Sequence, residues 1–343
     1  YIVAPGTYSQ KYLPLIKFHL KDFYMVKQEL LNLVLNYFNK KSNLYPDLKL
    51  NYHHYETFVK SFLISDMQKK ISLLETLVAK RPDSDFLNFE ISKAYSIVGN
   101  ARKSQQYLDK ITDSILFGPS KQFLKSIHLI DTGQSHQATE ILHQLQNEKQ
   151  FMAETQNNLG VIQARESHHS RACDHFHHSL QAKKDPQVYF NYIKCLMVQR
   201  KKSLALENLK IALFYYPDNE NLIRLFSFFL SREKKSAPLL IIFKKYIPNL
   251  NLIKKLPDLP FVLKNPFELQ TYDNLYYLND FDRIVKLYGK GDTATALKNT
   301  QNLMEINPFI PRLHLFLAEI YEKQGDLTLS RQYSQSATFL RRR

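Results

Sequence analysis

Gly99 and Gly133 lie 34 residues apart, and so do Gly291 and Gly325. Each closes an apolar run of helical character and precedes another. Ala94-Tyr95-Ser96-Ile97-Val98 leads into Gly99, and Ile320-Tyr321-Glu322-Lys323-Gln324 leads into Gly325. A glycine at a fixed offset marks a tight turn between two helices, where a positive φ strains any residue with a Cβ. A two-helix unit of that length cannot bury its apolar face alone, so it must stack on copies of itself. The spacing therefore predicts an all-α array of paired helices.

Composition agrees. Eight glycines and no tryptophan, with abundant Leu, Lys, Gln and Ala, argue against a sandwich or barrel. The 44% hydrophobic content is enough for a continuous core, and 23 Phe with 21 Tyr predict inter-helix layers built from flat rings. The formal net charge of +15 favours acidic partners such as nucleic acid, an anionic membrane or an acidic protein surface. Its densest stretches are Arg200-Lys201-Lys202 at an expected inter-helix turn and a run holding Lys234, Lys235, Lys244 and Lys245. No stretch is long and apolar enough to span a bilayer. A chain beginning at Tyr1 leaves room for a leader, anchor or further domain upstream, which favours an envelope or membrane-associated complex over free cytosol.

Other marks recur around the glycines. Residues 153–185 carry Asn158-Leu159-Gly160 on the first helix and Ala172, Phe176 and Ser179 on the second. Residues 186–218 carry Tyr189, Leu196, Ala205, Leu209, Ala212 and Pro217. The last unit, 311–343, carries Leu317, Ala318, Tyr321, Gly325 and Ala337. On these residues the chain resembles the tetratricopeptide-repeat family over about two-thirds of its length. The resemblance implies an α-solenoid of antiparallel helix pairs, a right-handed superhelix in which Gly160, Ala172, Ala205 and Ala318 let backbones approach closely.

The expected organisation is an N-terminal helical cap over 1–50, an array of about six units over 51–245 with the last degenerate, an irregular break over 246–276, and two further units over 277–343. Pro248, Pro257, Pro260 and Pro266 exclude a long helix from the break, which would bend the solenoid or separate two arms.

Chemistry is sparse. His169, Cys173 and His177 share a helical face at a spacing of four residues, with Asp174 and His178 as a second pair; zinc or nickel is one reading, but a solvated polar face and no metal are the expectation. Cys173 and Cys195 fall in neighbouring helices, where one bridge is feasible and two buried thiols are the expectation. No nucleophile elbow, phosphate loop or metalloprotease helix appears, so neither an enzyme nor a cofactor is expected.

The resemblance implies a partner-binding concave groove lined by the first helices. Tyr52, Tyr55, Phe62, Phe86, Phe89, Lys93, Asn157, Phe190 and Lys194 fall at its positions, an aromatic wall with occasional lysine suited to a protein or peptide segment. Lys93, Asn157 and Lys194 do not sit in successive units, so the carboxylate clamp known in some members is not expected. The leading expectation is a non-enzymatic scaffold within a larger assembly, such as a bacterial envelope, secretion or motility machine. A peptide-sensing regulator is one alternative. Nucleic-acid or anionic-membrane binding through the basic stretches is the other.

Overall fold

The structure, a computed structural model, describes residues 57–341 apart from residues 59, 62–63, 113, 234–235, 257–259 and 268–277. The cap expected over 1–50 lies outside the described residues, as do Tyr52, Tyr55, Phe62, Lys234 and Lys235. Among the described residues all regular structure is helical, and no helix is long and apolar enough to cross a membrane. The chain divides into two compact units, Tyr1–Ile141 and Leu142–Arg343.

The first unit contains α1 (Met67–Lys80), α2 (Asp85–Ile97), α3 (Ala101–Leu108) and α4 (Ser114–Asp131); the division falls within α5 (Ser135–Leu145). Short polar side chains start the first three helices. Asp66 accepts from the backbone N–H groups of Gln68 and Lys69, Ser84 from Leu87 and Asn100 from Lys103. Leu74, Leu77, Leu87, Ile91 and Ala94 form the core between α1 and α2. Beside it the Tyr95 hydroxyl donates to the Glu75 carboxylate, and Lys103 Nζ donates to both.

The second unit contains α6 (Met152–Arg165), α7 (His169–Ala182), α8 (Pro186–Val198), α9 (Lys202–Tyr215), α10 (Glu220–Leu230), α11 (Ser236–Tyr246), α12 (Leu278–Gly289), α13 (Thr293–Ile306), α14 (Pro311–Lys323) and α15 (Leu327–Leu340). Each helix from α6 to α11 packs on the next, and α8 also packs on both α6 and α10. The first helices of successive pairs thus stand side by side, as stacked tetratricopeptide-like repeats require. Gly160 of α6 shows why small residues recur. A Cβ there would lie 2.7 Å from Cε1 of Phe176 on α7, closer than two carbons can approach. Ala172 and Ala205 are also fully buried.

The described residues of 247–267 form no helix, yet the helices beyond that stretch do not form a detached arm. Phe309 packs edge-on against Phe226 of α10 and stacks with Phe243 of α11. Tyr246 and Tyr333 share a hydrogen bond of 2.8 Å between hydroxyls, and Asn307 Nδ2 donates to the carbonyl of Phe214. Helix α15 therefore closes onto α11, with the proline stretch looped out between them.

The turn glycines all have positive φ: 74° at Gly99, 78° at Gly133, 88° at Gly291 and 83° at Gly325. Two further residues adopt the same conformation, Ser167 at 64° and Arg200 at 62°. They continue the rhythm of Gly99 and Gly133 through the middle of the chain without glycine. A left-handed residue with a Cβ carries roughly 1–2 kcal/mol of strain, part of which glycine's larger unfolded-state freedom offsets. Ser167→Gly is expected to stabilise the second unit by about 0.5–1 kcal/mol, and Gly133→Ala to cost about 1 kcal/mol, each read from the shift in urea midpoint.

His314 of α14 is fully buried, and its Nε2–H donates to the carbonyl of Pro308 at 2.7 Å. Burial holds its pKa down at about 4, against an ordinary value of 6.5. Below pH 6.5 the unfolded chain takes up a proton that the folded chain refuses. Stability is therefore lost as pH falls from 6.5 towards 4, by about 3 kcal/mol in all. Thermal unfolding followed across that window should show this slope, and His314→Gln, which keeps a donor without a titration, should flatten it.

Candidate binding groove

Helices α6 and α8 present Asn157, Asn158 and Asn191 to a common face, and all three side chains are fully buried. Asn157 and Asn191 lie one 34-residue repeat apart, so they occupy equivalent positions on neighbouring first helices. Asn191 Nδ2 donates to Asn157 Oδ1 at 2.8 Å, and Asn157 Nδ2 donates to Asn158 Oδ1 at 3.1 Å. A buried carboxamide must have its donors and acceptor met. The remaining capacity of these three goes to the backbone of residues 262–264, from the looped-out proline stretch.

The geometry is that of strand pairing made with side chains. Asn191 Nδ2 donates to the Val262 carbonyl at 2.7 Å, while Asn191 Oδ1 accepts from the Val262 N–H at 2.8 Å. Asn158 treats Lys264 identically, donating to its carbonyl at 2.9 Å and accepting from its N–H at 2.8 Å. Asn157 Nδ2 adds a bond of 3.0 Å to the Val262 carbonyl. In an antiparallel ladder one residue exchanges both bonds with its partner, and bonded residues alternate along an extended strand. Val262 and Lys264 satisfy that alternation, with a carboxamide in place of each partner residue. Pro260 and Pro266 flank the segment and favour extended backbone in the residue before each. Asn265 Oδ1 then accepts from the N–H of Phe267 to turn the chain.

Side chains fix the register. Lys264 Nζ lies 3.0 Å from Asp185 Oδ2, and both side chains are only 4% exposed. Its Nζ also donates to Gln187 Oε1 at 2.7 Å. Asp185 is the N-cap of α8, its Oδ1 accepting from the N–H groups of Gln187 and Val188. Phe261 stacks on Phe176 with centroids 5.7 Å apart, and Lys194 Nζ stands 4.5 Å from the Phe261 ring centroid. Phe267 meets Phe151 edge-on. Upstream, the hydroxyls of Ser227 and Ser231 on α10 donate to the carbonyls of Asn251 and Ile253. The chain thus runs back across α10, α8 and α6, in the reverse of the order in which it made them.

Of the residues expected to line a groove, Asn157 and Lys194 touch this segment. Phe190 is buried in the helix core at 1% exposure. The groove-facing residue of α8 is its neighbour Asn191, and a shift of one residue rotates a helix position by about 100°. In the first unit Phe86 packs on Phe58, Phe89 on Phe117, and Lys93 pairs with Glu90 at 2.6 Å, so these side chains contribute to packing there. Asn158, Asn191 and Asp185 were not expected at the site. The available signal was two asparagines at one repeat position, an uncommon choice for a buried first-helix face.

One expectation needs correction. Cys173 and Cys195 are joined in a disulfide between α7 and α8, with Cα atoms 5.7 Å apart, and are not free thiols. The bond removes Cys173 from the metal set suggested with His169 and His177, and among the described residues no group of three His, Cys, Asp or Glu could hold a metal ion. Of the basic stretches, Arg200, Lys201, Lys202, Lys244 and Lys245 are exposed, and Lys245 lies over the ring of Tyr246.

These features define a class: a helical-repeat protein whose first helices hold an extended chain. No family model matches the chain, and no curated protein matches it. Among solved structures it is similar to MamA (TM-score 0.37, 14% identity, covering 47% of this chain and 88% of that one). It is similar also to the apo form of RapI (0.42, 15%, 84% and 98%) and to a human IFIT1 dimer with PPP-AAAA (0.39, 12%, 92% and 69%). The paired-helix architecture stands on the chain's own helices.

The disulfide ties α7, which carries Phe176, to α8, which carries Asn191 and Lys194. Closing a loop of 22 residues confers about 3 kcal/mol by restricting the unfolded chain. Cys173→Ser with Cys195→Ser should lower the unfolding free energy of the second unit by that order, and dithiothreitol should do the same to the unsubstituted protein in a urea titration.

Proposed function

We propose that this chain is a non-enzymatic interaction scaffold that holds an extended segment of a partner protein along the α6 and α8 face, as one subunit of a larger assembly. The observation that supports it is the pairing of Asn158 and Asn191 with both the N–H and the carbonyl of a bound backbone. Such pairing recognises extended polypeptide as such, and side-chain pockets add selectivity. The Cys173–Cys195 bond supports an oxidising compartment, which agrees with an envelope or membrane-associated setting.

Affinity at this groove rests on desolvated hydrogen bonds and rings, whereas attraction of nucleic acid or anionic lipid to exposed lysines falls steeply with salt. The test is capture from the source cell with low-salt and then high-salt washes. A defined partner should survive high salt, be lost on Asn158→Ala with Asn191→Ala, and be retained when Lys201, Lys202, Lys244 and Lys245 are changed to Ser. Retention by the asparagine variant and loss by the lysine variant would replace this reading with an electrostatic one.

A further inference from the structure

Resting on the groove reading above, we propose that the α6 and α8 groove accepts partner segments carrying an aromatic residue and, three positions on, a lysine, and that residues 261–265 are an internal occupant competing for it. The chemistry of the partner is read from what the groove gives the resident chain. Phe176 and Lys194 form the aromatic seat. Asn191 and Asn158 take the backbone at the next position and at the lysine. Asp185 and Gln187 take the ammonium group.

Three observations make the resident segment displaceable rather than a fixed part of the core. Its described residues form no helix of their own, and Phe261, Val262 and Leu263 are only partly buried. The helices beyond it are held independently, through Phe309 on Phe226 and Phe243 and through Tyr333 on Tyr246, so release of 261–265 leaves that packing in place. The chain is also anchored upstream, where Ser227 and Ser231 hold Asn251 and Ile253, so a freed segment stays tethered beside the groove.

The ion pair argues for selection rather than stability. A buried pair often contributes less than apolar residues of the same volume would, but removing one partner leaves the other charge uncompensated. With the segment gone, Asp185 keeps its cap bonds to the N–H groups of Gln187 and Val188 but loses the ammonium group, and Asn158 and Asn191 lose their backbone partners; an incoming chain bearing lysine restores those contacts. A glutamate there would set two carboxylates against each other.

The probe is a fluorescein-labelled peptide of sequence Phe-Val-Leu-Lys-Asn-Pro, titrated against the full chain and followed by fluorescence polarisation. The vacated variant Phe261→Ala with Lys264→Ala should bind it at least tenfold more tightly than the unsubstituted protein. Changing the peptide's lysine to glutamate should weaken binding at least tenfold, and adding Asn191→Ala to the vacated variant should abolish it. On the unsubstituted protein, excess peptide should speed hydrogen exchange at the amides of Val262 and Lys264. A vacated variant with an unchanged circular-dichroism melt that binds no tighter than the unsubstituted protein overturns the proposal, as does indifference to the lysine-to-glutamate change. Unsubstituted protein that runs as a dimer, and becomes monomeric in the vacated variant, would place a second copy's segment in the groove and overturn the internal assignment. The two readings fail separately. A partner lost on Asn158→Ala with Asn191→Ala, alongside no gain on vacating, leaves the scaffold and removes the competition. A gain on vacating with no groove-dependent partner does the reverse.

Discussion

A side-chain amide cut off from water has to find partners for two N–H bonds and a carbonyl, or it costs the fold on the order of 1–3 kcal/mol for each group left unmet. Three such amides stand together on α6 and α8, and much of the second unit is arranged around meeting that demand. Asn157 is met by its repeat equivalent on α8 and by its own neighbour, which binds the two first helices through their side chains. What the amides cannot provide for one another, residues 262 and 264 provide. The path of the proline stretch, the burial of Lys264 and its meeting with the α8 cap at Asp185 all follow from that requirement.

The groove and the core are continuous through one ring. Phe176 lies against Gly160, where no Cβ would fit, and its ring also stacks on Phe261 of the resident segment. The close approach of α6 and α7 thereby sets the floor on which an aromatic residue in the groove rests. The disulfide joins α7 in turn to α8, which carries Asn191 and Lys194.

Local rules carried the reading of the sequence as far as local physics reaches. Glycine at positive φ is legible because few other residues sit there easily, so the turns at 99, 133, 291 and 325 could be placed. Ser167 and Arg200 hold the same conformation in turns with the same local hydrogen bonds, and nothing in their chemistry announces it. The single-residue shift between Phe190 and Asn191 was beyond reach for a related reason, since both face inward on α8 and only the packing of α6 decides which one meets the groove. Prolines showed that residues 246–276 could not be a long helix. They could not show where that chain goes, because the asparagines that hold residues 262 and 264 lie 71 to 106 residues away along the sequence. Two cysteines left the bridge open for the same lack of distance information.

Asn191 and Asn158, on neighbouring first helices, pair with Val262 and Lys264, alternate residues of the bound chain. This gives the groove a reading frame. An insertion of one residue between the two contacted positions would turn the second amide pair to the opposite face of the strand and leave a carboxamide facing side chain instead of backbone. Among the described residues this pairing is made from α6 and α8, so the frame spans three residues of bound chain, 262 to 264. Any longer segment is discriminated at its ends, by the ring seat on one side and the carboxylate of Asp185 on the other.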